Sequence, residues 1–305
     1  MVQYPPAQLP PLTLSYRAGV MLVLMAGVCW SSMGLGIRLI ESANVWQILF
    51  WRSAAIVPFL FVIIALRSGG RPVAVIRRAG IAAVIGGACL VVAFTGAIFA
   101  MQTTSIANAV FMFAAAPLFA AVLGWLILGE PVRRATWWAM AVAILGIGLM
   151  VAEGIALGNA LGNAAAGATA LAFACFTVAL RWRKLNDMMP TVFLAGLFAT
   201  GVAAIICLAG GYGFAVSVND MAISLAMGVF QVGAGLALYT LGSRAVPAAE
   251  LALLSLTEVL LAPLWVWILL GETVGLYTLA GGAVLLLAIT GNALSGIRRK
   301  PVPIL

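Results

Sequence analysis

Two ionisable side chains, Glu258 and Arg52, lie within long apolar stretches of this 305-residue chain. Such groups are costly at membrane depth, so each needs a role. Glu258 falls close to the middle of its segment, where its carboxyl group could load and release a proton or bind a substrate amine. The alternative is a protonated glutamate that bonds a neighbouring helix.

Arg52 lies near the start of its segment, roughly 10 Å deep at a helical rise of about 1.5 Å per residue. The flat, forked guanidinium group suits the carboxylate of a substrate. The alternative is structural, because an arginine at this depth can extend toward the interface or bond carbonyls at helix ends.

Aromatic and hydroxyl side chains form a second group of candidates. Ser255 and Trp265 share a helical face with Glu258, as expected for the wall of a cavity. The rings could enclose an apolar side chain of a small substrate, or they could simply pack between helices. The predicted substrate-binding or coupling residues besides Glu258 and Arg52 are Trp30, Ser31, Phe94, Tyr239, Ser255 and Trp265.

Two prolines within apolar segments, Pro117 and Pro263, are predicted hinges. Each removes a backbone donor and can bend its helix. Bends in two related helices would suit a rocking motion, although static kinks explain them equally well.

The composition places these residues in a membrane. Apolar residues make up 65% of the chain and charged residues 8%, against about 45–50% and about 25% in soluble domains. Lipid admits only helices and closed barrels, and apolar runs without alternation favour helices. Histidine is absent, which excludes histidine-based zinc sites and Ser/His/Asp triads, and no metal or cofactor is predicted.

Ten apolar segments predict an all-α membrane protein with ten transmembrane helices. If the N-terminus is cytoplasmic, all but Arg38 and Arg52 of the 16 Lys and Arg residues fall on the cytoplasmic side. The positive-inside rule therefore predicts a multi-pass protein of the cell inner membrane with both termini cytoplasmic. The predicted segments are 18–38, 45–66, 79–101, 105–128, 135–152, 163–182, 190–210, 219–241, 248–270 and 275–296.

Two similar helix ends indicate an internal repeat: "GWLILGEP" at 124–131 and "VWILLGET" at 266–273. They end the fourth and ninth segments, so each copy has five helices. Because five is odd, the second copy enters the membrane from the opposite side, as in many secondary transporters. The alternative is a duplication that built only a symmetric scaffold. The predicted divisions are a tail at 1–16, repeats at 17–152 and 153–298, and a tail at 299–305.

The sequence resembles the drug/metabolite transporter superfamily, in its ten-helix EamA branch. The resemblance rests on "CWSSMGLGIR" (29–38), "FWRSAA" (50–55) and the two "LGE" helix ends. A Glu-Pro pair often precedes "LGE" in that family; here Ala116-Pro117 and Glu258-Val259 each keep one member. The resemblance implies that helices 1–4 and 6–9 surround a central cavity and that helices 5 and 10 brace it. Among the members, the amino acid exporters, including the aromatic amino acid type, are most similar.

The functional prediction is a secondary transporter that exports small amphipathic metabolites, with amino acids as the expected cargo, by alternating access. The predicted partners are this substrate and the bilayer, not nucleic acid. No Gly-Lys-Ser/Thr phosphate loop is present, which argues against direct use of ATP. The alternatives are transport of other metabolites or drugs, a channel, or a membrane scaffold. An intramembrane enzyme is not expected, since one central carboxyl group without histidine is a poor catalytic set.

Overall fold

A computed structural model of the chain describes residues 14–185 and 187–297. Most of the predicted N-terminal tail, and the C-terminal cluster Arg298, Arg299 and Lys300 used in the orientation argument, lie outside the described residues. Ten helices are long and apolar enough to cross a membrane, as predicted. They are α1 (Tyr16–Leu39), α2 (Val45–Arg67), α3 (Pro72–Thr103), α4 (Ile106–Leu128), α5 (Arg134–Ala156), α6 (Ala160–Trp182), α7 (Met189–Ala209), α8 (Val218–Gly242), α9 (Ala248–Leu270) and α10 (Leu276–Ile297).

Short polar residues start several of these helices. Asn44 caps α2 in a reciprocal arrangement with Gln47, in which each side chain accepts from the other residue's backbone amide. Ser15, Ser105 and Ser217 accept from the first turns of α1, α4 and α8. These caps satisfy amides that lipid would leave without partners, which explains why the apolar runs begin at these residues.

Three helices depart from the regular spans that the sequence predicts. The third segment, expected at 79–101, begins at Pro72, and its first turns bend away at Gly80, whose φ of 62° favours glycine. α4 is interrupted between Ile106–Phe113 and Ala116–Leu128. α8 becomes a π-helix over Met227–Ala234. In addition, α5 spans Arg134–Ala156, slightly longer than the predicted segment 135–152.

Eight of the helices form a ring in which each packs on the next, and neighbours always come from different repeats. The order around the ring is α1, α9, α4, α6, α3, α7, α2, α8 and back to α1. α5 and α10 pack on each other outside it, with close backbone approach at Gly146 and Gly281. Each repeat therefore buries its apolar faces mainly against the other repeat, and the ring agrees with the arrangement that the family resemblance implied.

Contacts between helix ends show that the two repeats are inverted. Arg38, at the end of α1, donates to the carbonyls of Met101 and Thr104 at the end of α3. Gly162, at the start of α6, packs against Thr103 and Thr104. α1 thus ends on the side of the bundle where α6 begins, so equivalent helices of the two repeats run in opposite directions. The predicted fold class is confirmed.

Candidate functional site

The predicted aromatic and hydroxyl residues meet where α1 lies between α8 and α9. The rings of Trp30 and Tyr239 are 5.3 Å apart between centroids. The Trp265 indole N–H donates to the Ser31 hydroxyl at 2.9 Å, and that hydroxyl donates to the Val28 carbonyl at 2.8 Å. Consecutive helical residues point about 100° apart, so Trp30 faces α8 while Ser31 faces α9. We call Trp30, Ser31, Tyr239 and Trp265 the aromatic cluster.

Small residues allow this close approach. Gly235 of α8 lies against the Trp30 ring, and Gly27 of α1 lies against Thr257 and the backbone of Glu258 on α9. A side chain at either glycine would meet the opposing helix directly. Gly27 and Trp30, one turn apart on α1, therefore bring this helix close to both α9 and α8. The aromatic cluster lies within helices rather than on loops.

Glu258 lies on α9 beside this cluster and is half-buried. Among the described residues, no side chain or backbone amide donates a hydrogen bond to its carboxyl group, and no arginine or lysine pairs with it. One turn away, Ser255 donates its hydroxyl to the Leu251 carbonyl of the same helix, at 2.8 Å. A negative charge inside a membrane is costly, and no contact among the described residues offsets that cost here.

Arg52 is buried to 2% exposure, and its guanidinium carbon lies 4.9 Å from the centre of the Phe94 ring. Its Nε and Nη1 atoms are buried, and no described residue forms a hydrogen bond with them. α2 and α3 both pack on α7 and also contact each other directly, and the contact of Arg52 with Phe94 lies at their interface. On α8, Gly228 of the π-helical turn packs against the Arg52 backbone. Cation–π attraction offsets part of the cost of burial, and no carboxylate among the described residues pairs with this group.

The structure therefore separates the predicted residues into two groups. Trp30, Ser31, Tyr239 and Trp265, with Glu258 and Ser255 nearby, lie on α1, α8 and α9, whereas Arg52 and Phe94 lie on α2 and α3. No described contact joins the two groups directly. Both groups lie on helices of the ring, the aromatic cluster where α1 meets α8 and α9 and the guanidinium group where α2 meets α3.

The two predicted hinge prolines occupy different surroundings. Pro117 is exposed and stands just after the break in α4, at the start of Ala116–Leu128. Pro263 is buried inside α9, which runs without interruption from Ala248 to Leu270. Only α4 is therefore interrupted, and the repeat offset of 142 residues aligns Pro117 with Val259 of α9 rather than with Pro263.

The repeated "LGE" ends form the same turn twice. Gly129 and Gly271 adopt φ values of 66° and 68°, a region that L side chains rarely occupy. The next amide, of Glu130 or Glu272, donates to the carbonyl six residues back at 3.2 Å in both copies. Each glycine therefore ends its helix and turns the glutamate back toward the bundle.

Each of these glutamates pairs with an arginine at the end of a helix from the other repeat. Arg38 of α1 donates to Glu272 at 2.6 Å, and Arg181 of α6 donates to Glu130 at the opposite end of the bundle. The sequence reasoning used the glutamates only as markers of the repeat and missed both arginines. A signal was present, because Arg38 and Arg181 are 143 residues apart, one more than the glutamates.

A second missed residue is Asp220, which is fully buried at the start of α8. Its carboxylate accepts hydrogen bonds from the amides of Glu41, Ser42 and Ala43 at 2.9–3.0 Å, and from the Ser42 hydroxyl at 2.8 Å. These bonds fix the α1–α2 loop at the end of the bundle where Glu272 lies. Nothing in the local sequence identifies this role, since it depends on a contact across 177 or more positions.

An open cleft of about 150 Å³ lies at the end where Glu130 stands, between α4, α5 and α6. Among the predicted residues only Pro117 lines it, so the cleft is separate from the aromatic cluster. The lining residues are Pro117, Ala121, Glu130, Pro131, Val132, Arg133, Thr136 and Arg181.

Comparisons with known proteins agree with this geometry. Residues 17–152 and 160–294 each match the model described as the EamA-like transporter family. A search of curated proteins found no match. The chain is similar in fold to a solved structure titled "Crystal structure of protein", with a TM-score of 0.65 and 17% identity over 94% of this chain and 100% of that one.

Proposed function

The chain belongs to the EamA-like transporter family, and on that premise we propose that it is a secondary transporter that exports small amphipathic metabolites, with amino acids as the expected cargo. The observation that carries this proposal is the aromatic cluster between helices of opposite repeats, beside the Glu258 carboxyl group, which no described residue hydrogen-bonds or pairs with. Inverted repeats with a site between them are typical of carriers that work by alternating access.

The groups inside the ring suit a zwitterion with an apolar side chain. Arg52, buried with two unpartnered nitrogens, would receive a carboxylate. Glu258 would either meet the amine or carry the coupled proton. Trp30, Tyr239 and Trp265 offer broad apolar faces, which bind by desolvation and discriminate little among side chains of similar size. This set supports neutral amino acids, the aromatic ones included, over polyanions or nucleotide sugars.

The unequal ends of the bundle support alternating access. At the end marked by Glu272, α9 packs on Ile106–Phe113 of α4, and Val259, Ala262 and Val266 share a core with that part. The described residues of α9 form no comparable interface with Ala116–Leu128, the other part of α4. With the orientation that the arginines predict, the Glu272 end faces outward, so this conformation is closed to the outside.

Counterflow in proteoliposomes tests the proposal. Preloaded amino acid should drive uptake of labelled amino acid that saturates with concentration and is competed by Met, Phe and Thr. A nucleotide sugar or polyamine that competes while these fail would instead identify a carrier for another class of metabolite. Flux that rises linearly without saturation would indicate a channel.

The structure provides a matched pair of variants for this assay. Trp265 points toward α1 and bonds Ser31, whereas Trp267, two positions along the same helix, is 56% exposed on the outer surface. Trp265→Ala should weaken competition by amino acids, and Trp267→Ala should not. Equal effects would mean that the aromatic cluster does not contact the cargo.

A further inference from the structure

The Arg38–Glu272 pair does more than join α1 to α9. The guanidinium group of Arg38 also donates to the Met101 carbonyl at 2.7 Å and the Thr104 carbonyl at 2.8 Å. The Glu272 carboxylate also accepts from the backbone amide of Ile106 at 2.9 Å. Two side chains thus hold the whole α3–α4 turn, by the last carbonyls of one helix and the first amide of the next.

These bonds cross the ring. α1 and α3 are four places apart in the ring order, with α9, α4 and α6 between them, and they also contact each other directly. Joining α1, α9, α4 and α3 at one level closes this end of the interior. The side chains of Arg38 and Glu272 are only 26% and 20% exposed, so the pair is partly shielded from water, where such bonds are stronger.

The related pair at the other end makes fewer bonds. Among the described residues, Arg181 and Glu130 hydrogen-bond through their side chains only to each other, and those side chains are 43% and 38% exposed. The repeat offset of 142 residues relates Met101, Thr104 and Ile106 to positions 243, 246 and 248, which form the α8–α9 turn. That turn is the counterpart of the α3–α4 turn.

From this comparison we propose that each Arg–Glu pair is a bracket that captures the turn of one hairpin, and that the two brackets are engaged in alternation. In the present conformation Arg38 and Glu272 hold the α3–α4 turn. In the opposite conformation Arg181 donates to the carbonyls of Ser243 and Val246, and Glu130 accepts from the amide of Ala248. The proposal rests on the proposed alternating access and assigns the residues that stabilise each end when it is closed.

Both ion pairs persist through this cycle. Each pair joins two helices that are also held together near their other ends, so these two helices move as one unit. Tyr16 donates to Glu250 at 2.5 Å, which ties the starts of α1 and α9, as Arg38 and Glu272 tie their ends. α4 and α6 are tied at Glu130 and, near the other end of α4, by Asn108 donating to Asn163. The moving parts are therefore the pair α1 with α9 and the pair α4 with α6. Through the cycle each bracket forms or breaks only its hydrogen bonds to a hairpin turn.

Distances between spin labels on the full chain in nanodiscs test the proposal without measuring transport. The four cysteines Cys29, Cys89, Cys175 and Cys207 are first replaced by alanine. Labels at the exposed Thr103 and Thr273 report on the Glu272 end, and labels at the exposed Arg244 and Pro131 report on the Glu130 end. The wild type should give a short, narrow distance at the Glu272 end and a longer, broader one at the Glu130 end.

Glu272→Gln should lengthen the first distance and shorten the second. Loss of a charged hydrogen-bond partner should raise the population open at the Glu272 end about tenfold or more. Glu130→Gln, the matched variant of the other repeat, should leave the Glu272 end closed. Unchanged distances in Glu272→Gln, or the same shift in both variants, would overturn the bracket.

A charge swap separates the bracket from a simple ion pair. Arg38→Glu combined with Glu272→Arg keeps opposite charges together but moves the guanidinium group away from the carbonyls of Met101 and Thr104. This double variant should open the Glu272 end as Glu272→Gln does. A short Thr103–Thr273 distance, as in the wild type, would show that the ion pair alone is enough to close this end. If the swapped chain does not fold, Arg38→Lys replaces it, because lysine keeps the charge without the fork and should open this end partly.

Transport measured on the same samples distinguishes the two proposals. Distances that follow these expectations without saturable flux would contradict the transport proposal and leave the bracket standing. Saturable flux with distances that none of these substitutions changes would contradict the bracket alone. Arg181→Lys tests the bracket of the other repeat. It should weaken closure of the Glu130 end, so the short distance at the Glu272 end should remain.

Discussion

Trp265 and Ser31 are joined by a hydrogen bond of 2.9 Å that connects the two repeats near the middle of the bundle. Trp265 belongs to the second repeat and Ser31 to the first. The aromatic cluster therefore forms only when helices of the two repeats pack against each other. The Ser31 hydroxyl is in turn oriented by the Val28 carbonyl of its own helix. The indole ring is therefore fixed by a donor–acceptor chain rather than by packing alone.

We expect Ser31→Ala to destabilise the protein by about 1–3 kcal/mol, because it removes the acceptor of the partly buried Trp265 N–H. In a Trp265→Phe background the same substitution should cost less than about 1 kcal/mol, since no donor remains to be orphaned. Thermal unfolding of the single and double variants in detergent measures the coupling. Additive effects would mean that the hydrogen bond does not contribute.

Arg52→Met should abolish amino acid transport and yet raise thermal stability. An unpaired buried cation is costly, and a well-packed apolar replacement can be more stable by about 1 kcal/mol or more, even after loss of the contact with Phe94. Counterflow on one preparation checks the loss of transport, and thermal unfolding of the same preparation checks the gain in stability. If stability falls instead, Arg52 has a structural role, and the carboxylate site is wrong. Arg67→Met, at the end of the same helix, serves as the control.

Much of the fold could be predicted from the sequence because lipid removes most alternatives. Segment lengths, arginine placement and the repeated "LGE" ends together indicate ten helices in two inverted sets. The break in α4 after Phe113 could not be predicted, because a proline within an apolar segment can either interrupt its helix or leave it continuous, as Pro117 and Pro263 do. At the repeat offset of 142 residues Pro117 aligns with Val259 rather than with Pro263, so the two helices differ in sequence where α4 breaks.

The site was predicted less completely than the fold. Residue type and depth identify Trp30, Tyr239 and Trp265, and the structure brings these together. The same reasoning overlooked Arg38 and Arg181, because a charge at a helix end is normally explained by the membrane interface. Their roles depend on which helix is the neighbour in the ring, and sequence spacing within one segment does not contain that information.

Glu258→Gln should leave the protein folded but flatten the pH dependence of transport. Glutamine keeps the shape and hydrogen-bonding capacity of the side chain but cannot exchange a proton. Initial rates of counterflow across a pH series measure the effect. Glu250→Gln is the matched control, because that carboxyl group lies on the same helix and is partnered by Tyr16. A wild-type profile in Glu258→Gln would rule out proton coupling through this residue.

Reporter fusions should place the two ends of the bundle on the predicted sides of the membrane. Phosphatase fused near Gly158, in the turn between α5 and α6, should be active, because that turn lies at the outer end. Fusion after Lys184, at the end of α6, should be inactive. The reverse pattern would overturn the assignment of the Glu272 end to the outside while leaving the inverted arrangement of the repeats intact.

Affinity should rise with the length of an unbranched neutral side chain, in the order alanine, 2-aminobutyrate, norvaline and norleucine. Each buried methylene contributes about 0.8 kcal/mol, or roughly a fourfold gain in affinity. The amine and carboxylate are common to the series, so contacts with Arg52 and Glu258 cancel and the slope reports the aromatic cluster alone. Competition against a labelled amino acid in proteoliposomes gives this slope. Trp265→Ala should reduce it and Trp267→Ala should not; a flat series in the wild type would mean that the rings pack helices together without enclosing the cargo.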